Sequence, residues 1–299
     1  MVDLMQKRLA AETDGDTTAT LSASVSLWQC WALVLVAAAA AQTGTWAALT
    51  SMRPVGALVV AADGVVFAAT PGGVLSYDPG NRTYARFTRV DGLAGNRVLA
   101  VTLDSSGDLW FGTDGTGMSR LRTSASRFDP PVRAFDGLRV NALVPQGDRL
   151  LIGTDVGISV FLPGGDTVGG NARGRVKETY RQLGGFPRDT EVRALAFHHG
   201  RLWAATTAGV ASADLGEANL QDPDSWTSSA VTGDASSLLV LGDALYCGGA
   251  GAVWRYDDAQ RRWILDGNVG RVDGLGSFGR PSALVAAVRG RLLARQSSG

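Results

Sequence analysis

One short pattern returns along most of the chain: a turn glycine, a long apolar residue, an aromatic or apolar residue, two small or apolar residues, then threonine and a second glycine-rich turn. It reads Val66-Phe67-Ala68-Ala69-Thr70-Pro71-Gly72-Gly73-Val74, then Leu109-Trp110-Phe111-Gly112-Thr113, Leu150-Leu151-Ile152-Gly153-Thr154 and Leu202-Trp203-Ala204-Ala205-Thr206. A weaker copy, Leu245-Tyr246-Cys247-Gly248-Gly249, follows. The preceding turn glycines are Gly64, Gly107, Gly147, Gly200, Gly242 and Gly290, at spacings of 43, 40, 53, 42 and 48. A repeat constrains the fold strongly, because one unit cannot bury its own apolar face and must stack on its neighbours.

Each unit reads as consecutive antiparallel strands. Val98 to Leu103 is a β-rich run, Ser105-Ser106-Gly107-Asp108 is turn chemistry, and Leu109 to Thr113 is the return strand of a hairpin. The same layout recurs in Val140 to Val144 with Gly147, Val192 to Phe197 with Gly200, and Leu238 to Leu241 with Gly242. These strands are apolar on both faces, which suits sheets stacked between two neighbours and not a sheet facing water. About four strands per 40 to 45 residues is the period of a β-propeller blade. Composition agrees: 39 glycines and only 19% charged residues suit many short strands and tight turns.

A second element lies between the hairpins, a large residue followed by a turn. It appears as Phe87-Thr88-Arg89-Val90-Asp91-Gly92-Leu93, as Phe135-Asp136-Gly137-Leu138, and as Trp263 leading to Asp273-Gly274-Leu275. Here the chain is expected to leave an outer strand and cross to the next blade. With these residues the sequence resembles the two-component-regulator propeller repeat, which couples an Asp-Gly-Leu crossing to an Asp-x-x-Gly turn and a Leu-Trp-x-Gly-Thr strand. Residues 87–121 match it most fully, through Asp91-Gly92-Leu93, Asn96, Val98, Asp104-Ser105-Ser106-Gly107, Leu109-Trp110-Phe111-Gly112-Thr113 and Gly117. The resemblance extends in weakening form over residues 46–296, and Gly249 stands where the pattern has threonine. It implies an all-β propeller of four-stranded antiparallel blades. It also implies a ligand-sensing or docking surface without catalytic machinery, as in periplasmic sensor regions of hybrid histidine kinases and the propeller subunit of the type IX secretion attachment complex.

Six repeats are visible, and the expected ring of six or seven blades is incomplete. Gly290-Arg291-Leu292-Leu293-Ala294-Arg295 reads as the return strand of a sixth hairpin, with Trp46 to Met52 available as an outer strand for that last blade. Residues 46–299 are therefore read as the propeller domain and residues 1–41 as a polar stretch plus signal peptide or anchor. The run Trp31 to Ala41 is eleven apolar residues ending at Gln42, the length of an export segment and short of the roughly 18 needed to span a membrane. The protein is accordingly expected in the periplasm or outside the cell, touching a membrane only through an uncleaved N-terminal segment. Removal of that segment takes Cys30 with it and leaves Cys247 without a disulfide partner.

Function is less legible. The 28 basic and 28 acidic residues cancel, so no global field recruits nucleic acid. Gly274-Leu275-Gly276-Ser277-Phe278-Gly279 has the spacing of a dinucleotide loop but is followed by Arg280-Pro281 in place of a helix. His198-His199 reads as a solvated turn pair, because neighbours on a strand point to opposite sides. Asp104 to Asp108 lacks the alternating oxygen ligands of a calcium loop and reads as a hairpin turn. No nucleophile elbow is present, and no metal ligand set, cofactor or catalytic group is expected. Arg97, Arg139, Arg188 and Arg280 each fall in a crossing that leads toward an innermost strand, where they can line one mouth of the channel as an anion or carboxylate site. The leading expectation is a non-catalytic scaffold for an unidentified protein or small-molecule partner in the cell envelope. A sugar-active lyase or hydrolase at the channel mouth, or a relic of a hybrid sensor, are the alternatives.

Overall fold

In a computed structural model the described residues are 55–164, 174–216, 219–269, 272, 274–278, 283–288 and 291–296. The expected export segment, the strand 46–52 and Arg280 lie outside them. Among the described residues no helix is long and apolar enough to cross a membrane. Residues 48–299 form one compact unit of successive antiparallel sheets.

The first sheet orders β1 (Ala57–Val60), β2 (Val66–Thr70), β3 (Gly73–Asp78) and β4 (Thr83–Phe87) side by side. The second and third blades share strands: β5 (Val98–Leu103), β6 (Leu109–Arg122), β7 (Arg127–Phe128), β8 (Val132–Gln146), β9 (Arg149–Thr154), β10 (Gly157–Leu162) and β11 (Arg175–Tyr180). The fourth comprises β12 (Val192–His198), β13 (Arg201–Thr206), β14 (Gly209–Asp214) and β15 (Trp226–Ser229). The fifth comprises β16 (Ser237–Leu241), β17 (Ala244–Gly248), β18 (Ala252–Asp257) and β19 (Arg262–Asn268). A sixth sheet holds β20 (Gly274–Phe278), β21 (Ala283–Val288) and β22 (Arg291–Gln296). The innermost strands neighbour one another in the order β1, β5, β8, β12, β16, β20. These are the propeller blades that the repeat predicts.

Local chemistry explains why each blade forms. Gly64, Gly107, Gly147, Gly200 and Gly242 all take positive φ, 86°, 78°, 59°, 75° and 60°, as the turn between first and second strands requires. In blades three to five that turn is a two-residue hairpin loop, since Gln146 pairs with Arg149, His198 with Arg201 and Leu241 with Ala244. The turn between second and third strands carries the repeat's threonine. The Oγ1 of Thr70, Thr113, Thr154 and Thr206 donates to the carbonyls of Gly73, Gly117, Gly157 and Gly209 at 2.8, 2.6, 3.1 and 2.8 Å. In the fifth blade, where Gly249 replaces threonine, backbone bonds take over: Gly249 N–H donates to Ala252 and Val272 N–H donates to Gly249. The blade keeps its four strands.

The glycine before that threonine sets blade-to-blade packing. A Cβ on Gly112 would come within 2.4 Å of Val140 Cγ1, on Gly153 within 2.8 Å of Val192 Cγ1, and on Gly248 within 2.5 Å of Val272 Cγ1. Each of these valines sits at or just before the next blade's first strand and is fully buried. Where blades one and four carry Ala69 and Ala205, they pack in the same clusters as Val98 and Ala235 of the following blade. The core is thus a series of apolar layers, one between each pair of sheets.

Two details differ from the sequence reading. Asp91-Gly92-Leu93 does form a crossing turn, in which Asp91 Oδ2 accepts Thr88 N–H and Oγ1–H at 2.8 and 2.9 Å. Asp136-Gly137-Leu138, by contrast, lies inside β8, which continues from the second blade into the third through register shifts and a positive φ of 84° at Gly137. Only four residues separate Phe135 from Val140, against ten between Phe87 and Val98, so the shorter link stays within the strand. In the last sheet the innermost strand is β20, not the run before Gly290, because Val272 docks on Gly248. The hairpin across Gly290 is therefore formed by second and third strands. The two flanking glycines and the serine of β20 hid it from an apolar-pattern search.

Candidate functional site

In an antiparallel blade the turns between strands two and three share an edge with the crossings, while turns one-two and three-four share the opposite edge. Two polar assemblies follow, one on each face.

On the crossing face an alternating row of charges spans blades two to five. Arg97 Nε lies 3.0 Å from Asp114, and Arg139 lies 3.6 Å from the same carboxylate and 3.2 Å from Glu191. Arg193 lies 3.7 Å from Glu191 and 2.5 Å from Asp234. Asn141 braces Glu191 with an amide hydrogen bond at 3.2 Å and donates to the Val192 carbonyl at 3.0 Å. The structure therefore brings Arg97 and Arg139 together on Asp114. Arg188 is exposed in the segment before β12, next to Asp189, whose carboxylate is held below the usual range by its hydrogen bond to Arg181. The acids between the arginines were not singled out from sequence, although Asp114 and Glu191 each stand beside a repeat landmark, Thr113 and Val192.

On the opposite face the His198-His199 pair is not a solvated turn. His198 is buried, with 2% of its side chain exposed, and its Nε2 lies 3.0 and 3.1 Å from the two carboxylate oxygens of Asp258. His199 Nδ1 lies 3.2 Å from Asp258 Oδ1, and its Nε2 lies 2.6 Å from Asp243 Oδ1. The imidazoles stack at 3.9 Å. Strand alternation fails here because His199 has φ 47° and Gly200 φ 75°, a loop with both central residues left-handed. That geometry turns the second histidine to the side of the first. The hydrogen bond to Asp243, and more weakly that to Asp258, raises the His199 pKa, while Asp243 is lowered in return. Both acids come from turns of blade five, so no local spacing reveals the group.

The remaining motifs are structural. Asp104 Oδ1 accepts the backbone N–H groups of Ser106 and Asp108, and its Oδ2 accepts the Trp110 indole N–H at 2.8 Å. Gly274 to Phe278 is strand β20, not a phosphate loop. Cys247 is fully buried, and burial pushes its thiol up to about 12, which makes it a core residue and not a nucleophile.

The two component regulator propeller family matches residues 92–115, from the Gly-Leu of the crossing through the Gly-Thr turn of blade two. No curated protein sequence matches the chain. Among solved structures, the extracellular domain of a hybrid two component system from B. thetaiotaomicron is similar at TM-score 0.65 and 17% identity, over 84% of this chain and 33% of that one. PorZ, a surface component of the type IX secretion system of Porphyromonas gingivalis, is similar at TM-score 0.62 and 20% identity, over 85% and 33%. The chain thus spans about a third of the length of each. The computationally designed Ika8 protein aligns at TM-score 0.55 and 15% identity, over 82% and 72%, so what these structures share with the chain is its fold. The chain thus carries one two-component-regulator propeller repeat in its second blade and shares the β-propeller fold of these structures.

Proposed function

We propose that the protein is a non-catalytic, exported scaffold that presents the crossing face of its propeller to a ligand or protein partner in the cell envelope. The observation that carries this reading is the charge row itself. Arg97 and Arg139, with side chains 63% and 44% exposed, share the carboxylate of Asp114, and Arg139 also reaches Glu191, so their two exposed guanidinium forks still hold N–H donors beyond those that face the two carboxylates. A carboxylate-bearing partner fits that excess. The extracellular and surface settings named for the two natural relatives, and the apolar run Trp31 to Ala41, support an envelope location.

The test is calorimetry of the full chain with succinate, citrate and glucuronate, repeated on Arg97→Ala/Arg139→Ala. Saturable binding that the double variant loses is the expected result. Binding unchanged in the variant, no binding by any of the three, or conversion of the probe to a product would each overturn the assignment.

A further inference from the structure

The group at the boundary of blades four and five has the composition and spacing of a metal site. His198 and His199 come from the β12–β13 turn, and Asp258 comes from the turn after β18. One ligand atom from each lies within 4.8 Å of the others. Zinc bonds of about 2.0–2.1 Å at tetrahedral angles place neighbouring ligand atoms about 3.3 Å apart. His198 Nε2 and His199 Nδ1 already stand 3.0 and 3.2 Å from Asp258 oxygens. The three atoms are thus within reach of one ion, which both imidazoles can ligate once the rings, now stacked at 3.9 Å, splay so that their lone pairs converge.

The surroundings add what a metal-ligating histidine ordinarily has. The other nitrogen of His199, Nε2, meets the Asp243 carboxylate, the outer partner that fixes the tautomer leaving Nδ1 free for a metal. His198 is buried, and the Trp203 indole N–H donates to its backbone carbonyl, so one ligand is anchored in the core. His199 and Asp258 remain 47% and 38% exposed, which leaves an open side for water or a further ligand. Two imidazoles and one carboxylate suit zinc over calcium or magnesium, which favour all-oxygen shells.

We propose that His198, His199 and Asp258 bind a divalent zinc-class ion that ties blade four to blade five, with Asp243 as the outer carboxylate. The ion takes the place of the ring protons that otherwise face Asp258, and its fourth position is open to solvent.

The test uses the full chain, stripped with chelator and titrated with zinc by calorimetry, with melting temperature read in parallel. The expected result is one equivalent of zinc and a rise in melting temperature at saturation. Affinity should fall more than 100-fold in Asp258→Asn and His199→Gln, and about 10- to 100-fold in Asp243→Asn, as for loss of an outer-shell partner. His199 and Asp258 are half-exposed, so these variants should keep the wild-type β-sheet circular dichroism. His198→Ala removes a buried ring and is not needed. Absence of stoichiometric zinc binding, or binding equally tight in folded Asp258→Asn and His199→Gln, would overturn the site and leave a metal-free cluster of ion pairs.

Discussion

The turn between first and second strands does different work in blades two and four. In blade two its charges are consumed within the blade. Asp104 and Asp108, with side chains 11% and 8% exposed, both meet Arg120, which is 11% exposed and lies 5.3 Å from the centre of the Trp110 ring. Asp108 also accepts Thr123 N–H at 3.0 Å, closing the turn onto the adjacent one. In blade four the same position carries His198 and His199, and their partners belong to blade five. The same place in a repeat can thus finish its own blade or reach out of it. Only the second use leaves side chains able to exchange a proton for another ligand.

The contrast is most sharply tested at Arg120. Arg120→Ala strands two nearly buried carboxylates, and such a loss costs about 3 kcal/mol. Asp258→Asn in chelator should cost under about 1 kcal/mol, since the carboxylate is itself 38% exposed and the amide oxygen can still accept from the ring N–H of His198. Equilibrium urea unfolding measures both, and equal losses would erase the distinction. A smaller effect separates the two tryptophans. The Trp110 indole donates to a carboxylate at 2.8 Å and the Trp203 indole to a neutral carbonyl at 3.4 Å. Trp110→Phe should therefore cost about 1 kcal/mol more than Trp203→Phe, because hydrogen bonds to charged groups are the stronger. A reversed order would show that ring packing, not the indole bond, sets the difference.

The smallest effect is in pH. The folded pKa of His199 is raised above its unfolded value, so its contribution is complete below about 6.5 and is lost as pH rises through the folded value. Asp243 is lowered, so its share appears above its unfolded value and is lost only in acid. In chelator the melting temperature of the wild type should fall relative to His199→Gln between pH 6 and pH 8.5. Parallel curves would mean that the pair contributes nothing. Hydrogen-exchange protection of the Asp104 to Asp108 turn, after correction for the intrinsic rise of exchange with pH, should stay unchanged across the same range.

The hairpins were legible because they rest on residues that declare themselves: five turn glycines at positive φ and four threonines bonded to a glycine carbonyl three or four residues on. The crossing was legible at Asp91, which caps its own turn, and illegible at Asp136, where the same three letters continue a strand. The polar sites were harder, because they are made between blades. Arg97 and Arg139 could be placed by position in the repeat, but their acids come from a neighbouring turn or the following blade. His198 and His199 were misread by assuming strand alternation where the backbone had already left it. Asp258 lies sixty residues beyond His198, and only the angle between two sheets makes them neighbours.

The glycine-valine contacts at three blade boundaries run in one chain direction: the earlier blade supplies the hollow and the later one the methyl groups. The backbone of the earlier hairpin thus forms one wall of each boundary, and the side chain of the later segment fills it. During synthesis, which delivers the N-terminal blades first, each new first strand meets a surface already set to receive it. Each such contact joins only two neighbouring blades, so a methyl added to a hollow and a methyl lost from its valine disturb the same single boundary from opposite sides.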